Sequence, residues 1–162
     1  MLIWKEVNSM GIRVKLEAVV EELDLQFDEV TSYFNTKTGE IVSISFEELR
    51  AAENEEPVEK FPAWQQENIR IANEILEEDY FIPLPSKFDV HEYEIMERFC
   101  LSIDNEWLSD IMYNLIKGSG AFRRFKEGIQ KFKIEQNWYR YRDEALKQIA
   151  IEWCEENGLE YE

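Results

Sequence analysis

The chain has 162 residues, 44% apolar and 14% aromatic, with 35 acidic side chains against 18 basic ones and a formal net charge of −17. That apolar content is ample for a packed core, which excludes a disordered acidic chain. No apolar run approaches the roughly 20 residues of a membrane span, and an acidic body repels nucleic acid and anionic membrane over most of its surface.

Residues 1–12 show no clear hydrophobic period and read as an N-terminal appendage lacking the basic start and long apolar run of a secretory signal. Residues 13–162 read as a single domain, with an α+β half at 13–85 and an all-helical half at 86–162. Leu16, Val19, Val20 and Leu23 recur at helical spacing. A hairpin follows over residues 29–45, its strands rich in β-branched and aromatic residues. Gly39 stands where the loop wants positive φ closing onto the second strand. Ser45 and Glu48 have the spacing of a capping box that opens a short helix.

The acidic, proline-containing run Glu53 to Lys60 reads as a linker. Pro62 suits the first turn of a helix to about Glu78, with Trp64, Ile71, Ala72 and Ile75 expected on its buried side. A short strand near residues 80–84 carries prolines that push it to a sheet edge. Asp89 and Glu92 resemble a second capping box, with Phe88 and Tyr93 as a hydrophobic staple. Three further apolar stripes follow: Tyr93, Met96, Phe99, Cys100 and Ile103; Trp107, Leu108, Ile111, Met112, Leu115 and Ile116; then Phe122, Phe125, Ile129 and Phe132. A last helix carries Trp138, Tyr141, Ala145, Ile149 and Trp153 and stops at Asn157-Gly158. The pattern predicts a mainly α member of the α+β class. In it a small antiparallel sheet packs with helices and with a C-terminal helical bundle.

Charge is unevenly placed. Residues 117–147 hold nine Lys/Arg and four Asp/Glu, a local +5, which leaves −22 for the rest. Within this region lies Lys117-Gly-Ser-Gly-Ala-Phe-Arg-Arg-Phe-Lys126, a glycine turn entering a helix. Such a turn exposes backbone N–H groups at the positive end of a helix dipole. Lys117, Ser119, Gly120, Arg123, Arg124 and Lys126 are therefore candidates for binding an anion or a partner, with Trp138 and Tyr139 as downstream aromatics able to stack a base. The stretch is neither a Walker loop nor a dinucleotide fingerprint. An ordinary structural reading stands beside this one, because Glu127 is spaced to pair with Arg123, Arg124 and Lys131.

Other chemistry is sparse. His91 is the sole histidine, which excludes metal sites needing two or more, and its place near a helix start fits a structural role. The carboxylate runs at Glu53–Glu56 and Glu77–Asp79 lack calcium-loop spacing and read as solvated faces. No catalytic residue, metal ligand set or cofactor motif is assigned. Cys100 and Cys154 sit on apolar helix faces without a CxxC pairing, which suits reduced thiols in a cytoplasmic protein.

The heptapeptide Gly120-Ala-Phe-Arg-Arg-Phe-Lys126, with Trp138-Tyr139, Glu144-Ala-Leu146 and Glu152-Trp153, resembles bacterial proteins grouped as Uncharacterised Protein Family 0158. Tyr33, Thr38-Gly-Glu40, Leu84-Pro85 and His91-Glu-Tyr93 are similar to earlier landmarks of the same family. The resemblance implies a bacterial, intracellular, stand-alone domain. It carries no established activity, so it transfers no functional residue. The expected function is a non-catalytic interaction or regulatory domain binding a protein partner through its acidic surface or the Arg123/Arg124 helix. The alternatives are a phosphate, nucleotide or RNA binder at Gly118–Lys126 and, third, a carboxylate metal-dependent hydrolase.

Overall fold

The computed structural model describes residues 11–25 and 28–162; the proposed appendage therefore lies outside the described residues as far as residue 10. The fold is a mainly helical α+β arrangement with a three-stranded antiparallel sheet. Chain contacts divide it into two compact units, Met1–Asp89 with Ile149–Glu162, and Val90–Gln148.

In the first unit, helix α1 (Leu16–Asp24) buries Leu16, Val19, Val20 and Leu23, the four residues its spacing selects. Strands β1 (Val30–Asn35) and β2 (Ile41–Ser45) pair with Ser32 opposite Ser43 and Phe34 opposite Ile41. Their loop is fixed by Asn35, whose Oδ1 accepts the N–H groups of Lys37 (2.9 Å) and Thr38 (3.2 Å), and by Gly39 at φ +79°. Ser45 then caps helix α2 (Phe46–Glu53) reciprocally: Ser45 Oγ accepts from the Glu48 N–H and Glu48 Oε1 from the Ser45 N–H. Two of the orphan donors at that helix start are thereby satisfied.

The run read as a linker holds a turn of 3-10 helix, Val58–Lys60, and leads directly into α3 (Ala63–Glu77). Ile44 of β2, Ala52 of α2 and Ala72 of α3 share one buried cluster, flanked by Tyr33, Leu49, Ile71 and Ile75. Trp64 is a correction: it is 76% exposed, and the face that α3 buries runs through Gln65, Ile69 and Ala72. Strand β3 (Phe81–Pro83) pairs with β1, giving the order β2-β1-β3 and leaving the proline strand at an edge.

A short helix α4 (Lys87–Val90) follows, and here a second expectation fails. Asp89 Oδ2 accepts from the Ser86 N–H (2.7 Å) and Oγ (3.0 Å), so it closes α4 from within and does not cap the next helix. Phe88 is 77% exposed and staples nothing.

The second unit holds α5 (Glu92–Ser102), α6 (Glu106–Leu115), α7 (Ala121–Lys131) and the first part of the long α8 (Glu135–Glu156). Its core gathers aromatic rings edge to face, with Phe99 against Phe125, Trp138 and Tyr141 at centroid distances of 6.0, 5.3 and 5.5 Å. Trp107 and Phe122, expected on buried stripes, are 64% and 52% exposed. Helix α7 meets α6 at Gly128, where a Cβ would lie 2.8 Å from Leu115 Cδ1 and 2.9 Å from Met112 Sδ.

The end of α8 returns to the first unit. Trp153 donates its indole N–H to Pro83 O (2.9 Å) and stands edge-on to Phe34. The tail then pairs with residues 14–16: Val14 N–H reaches Glu160 O, Leu16 N–H reaches Glu162 O, and Glu162 N–H reaches Val14 O.

Candidate functional site

The glycine turn has a definite geometry. Gly118 and Gly120 both adopt left-handed backbone, φ +77° and +79°, between the end of α6 and the start of α7. The last carbonyls of a helix have no partner inside it. Here one side chain partners the carbonyl of the last helical residue, Leu115, and two carbonyls of the turn that follows. Arg124 Nε donates to Leu115 O (2.7 Å), Nη2 to Lys117 O (2.6 Å) and Nη1 to Ser119 O (2.5 Å). A cation at a helix C-terminus also opposes the negative end of the dipole. A Cβ at Gly120 would come within 2.9 Å of Arg124 Nη1, so glycine serves both the backbone angle and the approach of the guanidinium.

The eight candidate residues therefore divide. Arg124 holds the turn, and its fork is occupied by carbonyls of the same unit. Trp138 is buried, in edge-to-face contact with Phe99 and Phe125, so it is not available at the surface to stack a base. Lys117, Ser119, Arg123, Lys126 and Tyr139 stand at the surface, and Gly120 forms the turn. Arg123 pairs with Glu127 at 3.4 Å across one exposed helical turn, and Lys117 Nζ lies 5.0 Å above the Tyr113 ring. Neighbours in sequence, the two arginines point about 100° apart on the helix, and so one meets the turn and the other meets water.

The His91 neighbourhood is structural in geometry. His91 is the N-cap of α5 with φ +52°; Glu92 Oε1 is 2.7 Å from Arg142 Nε, and Tyr93 donates to Ile116 O at 2.8 Å. Both cysteines are free and fully buried. Burial pushes the Cys100 thiol up to about 11 and the Cys154 thiol up to about 12, against nucleophilic use near neutral pH. No group of three or more His, Cys, Asp or Glu placed to hold a metal ion occurs among the described residues.

The structure adds what spacing could not show. The first unit contains eight Lys/Arg and twenty-five Asp/Glu, a net −17, whereas the second has ten of each and is neutral. The whole net charge thus resides in one unit. That unit also holds a cleft of about 670 Å³ over the serine face of the hairpin. Glu22 of α1 reaches across it, its Oε2 accepting from Ser32 Oγ (3.0 Å) and Ser43 Oγ (3.2 Å). Asp28 pairs with Lys87 on the rim. Leu25, Phe46 and Phe88 line the opening and are 61%, 49% and 77% exposed.

Glu48 also lines this cleft but is only 4% exposed. Its Oε1 completes the capping box, and its Oε2 is buried with no hydrogen-bond partner. An unpartnered buried polar atom costs about 1–3 kcal/mol, more when charged. No sequence signal marked it, because the capping-box pattern accounts for only one of the two oxygens.

Fold and charge together define a mainly helical α+β protein with one strongly acidic unit and one neutral helical unit. The chain belongs to the family described as Uncharacterised protein family (UPF0158), which matches residues 8–162. It is 25% identical over 67 residues to a UPF0158 protein of Pseudomonas aeruginosa, a stretch covering 41% of this chain and 44% of that relative's length. No solved structure matches the chain. Among the described residues, no helix is long and apolar enough to cross a membrane.

Proposed function

We propose that the protein is a non-catalytic interaction domain that binds a basic protein partner through its acidic unit. The observation that carries this reading is the confinement of the full −17 net charge to the first unit, beside a neutral second one. Such a surface attracts a cationic partner over about a Debye length and accelerates encounter. The exposed Leu25, Phe46 and Phe88 supply apolar area for the docked state. A cytoplasmic setting accords with the two free buried thiols.

Affinity capture from a bacterial lysate, with nuclease added to a parallel sample, tests the reading. The expected result is reproducible retention of a basic protein at low salt, indifferent to nuclease and released by about 0.5 M salt. Recovery that vanishes on nuclease treatment overturns it in favour of nucleic acid, and no reproducible capture overturns it outright.

A second reading, an anion or nucleotide site at the start of α7, is favoured by one observation. That helix has no side-chain cap on its first N–H groups, and Arg123 and Lys126 are exposed beside it. It ranks below the first because Arg124 and Trp138 are engaged internally.

A further inference from the structure

The cleft over the hairpin has unequal acceptors. Glu22 Oε2 already receives two hydroxyl donors, and Asp28 has Lys87. Glu48 Oε2 receives none, although its residue is more than nine-tenths buried and lines the cleft. A carboxylate oxygen shielded from water wants a charged N–H donor. The lining has three carboxylates, Glu22, Asp28 and Glu48, against the single cation Lys87 among the described residues. The occupant should therefore be cationic. It should also carry an apolar stem, since Leu25, Phe46 and Phe88 are exposed around the opening.

Guanidinium is the poorer fit. Its planar fork prefers two parallel acceptor oxygens on one carboxylate, and Glu48 has committed Oε1 to the Ser45 N–H. An ammonium is a point donor at the end of four methylenes, and one free buried oxygen suits it. We propose that the cleft receives the side-chain ammonium of a lysine in a basic segment of a partner protein, with Glu48 Oε2 as the buried acceptor. This rests on the interaction-domain reading above and gives it a site and a residue type.

The full chain, labelled with nitrogen-15, is titrated with an uncharged-capped peptide carrying three lysines spaced by Gly-Ser. Parallel titrations use the same peptide with arginine, the same peptide with Nε-acetyl-lysine, and spermidine. The lysine peptide should shift the amides of Ser32, Ser43, Glu48 and Phe88, bind more tightly than the arginine peptide, and lose all binding on acetylation. Glu48→Gln should weaken it about tenfold or more. Glutamine at this helix position still completes a capping box, so the fold is expected to persist, as a circular dichroism melt will show. Phe88→Ser, at an exposed rim position, gives a second variant, expected to weaken the peptide about threefold.

Shifts at the cleft with unchanged affinity in Glu48→Gln overturn the role of Glu48. Shifts confined to other parts of the acidic unit overturn the cleft while leaving that unit as a partner surface. Spermidine binding at the cleft as tightly as the peptide assigns the site to free amines and overturns the partner lysine. No shift with any probe at millimolar concentration overturns the pocket; the lysate capture tests the broader reading separately.

Discussion

Replacing Arg124 with alanine removes three carbonyl contacts at once. The Nε bond to Leu115 O is partly buried, and a hydrogen bond from a charged donor contributes about 1.5–3 kcal/mol. The bonds to Ser119 O and Lys117 O are exposed, so water replaces much of what they give, and about 0.5 kcal/mol each is a fair allowance. Loss of a cation at the end of α6 adds about 0.3–1 kcal/mol. The expected loss is about 3–5 kcal/mol, or roughly 6–20 °C in melting temperature for a chain of this size. Arg123→Ala breaks only an exposed pair at 3.4 Å and should cost at most about 0.5 kcal/mol. Urea unfolding followed by tryptophan fluorescence measures both, with unchanged slope as the check that one transition is being compared. Equal effects from the two alanines, or a neutral Arg124→Ala, would refute the assignment of Arg124 to the helix end.

Three other outcomes are expected. Gly128→Ala should destabilise by about 1–3 kcal/mol through overpacking against Leu115 and Met112, and Leu115→Ala in the same chain should recover part of it, read as urea midpoints. Alkylation of Cys100 and Cys154 by iodoacetamide at pH 8 should be slow in the folded protein and fast in urea, scored by intact mass. Because burial raises the folded thiols to about 11 and about 12 from an ordinary 9.0, the unfolded chain sheds these protons first. Stability contributed by the protonated thiols should therefore be full below pH 9, decline from there to about pH 12, and decline less steeply in Cys154→Ala.

Local signals translated well into structure. The capping box at Ser45 and Glu48, the glycine of the hairpin loop and the edge position of the proline strand each follow from backbone chemistry within a few residues. Helical spacing found the buried face of α1 in full. It misplaced Trp64, Trp107 and Phe122 because a period gives a direction around the helix but not where the neighbouring element stops. Gly128 carries no local signal in the sequence, because its meaning lies in the side chains of α6 opposite it. Arg123 and Arg124 were inseparable as letters and have opposite surroundings in space. Glu48 was half legible: its cap follows from spacing, whereas burial of its second oxygen depends on packing.

The pairing of residues 14–16 with Glu160 and Glu162 bears on how the protein comes off the ribosome. At about 5–20 residues per second, the tail emerges roughly 7–30 seconds after the segment it must bind. Once residue 148 has been added, every residue of the neutral helical unit has been synthesised, while the acidic unit still lacks the end of α8 and its closing bridge. The helical unit can therefore mature first, and nascent chains arrested before Glu160 would expose the unpaired edge at Val14 to chaperones and proteases.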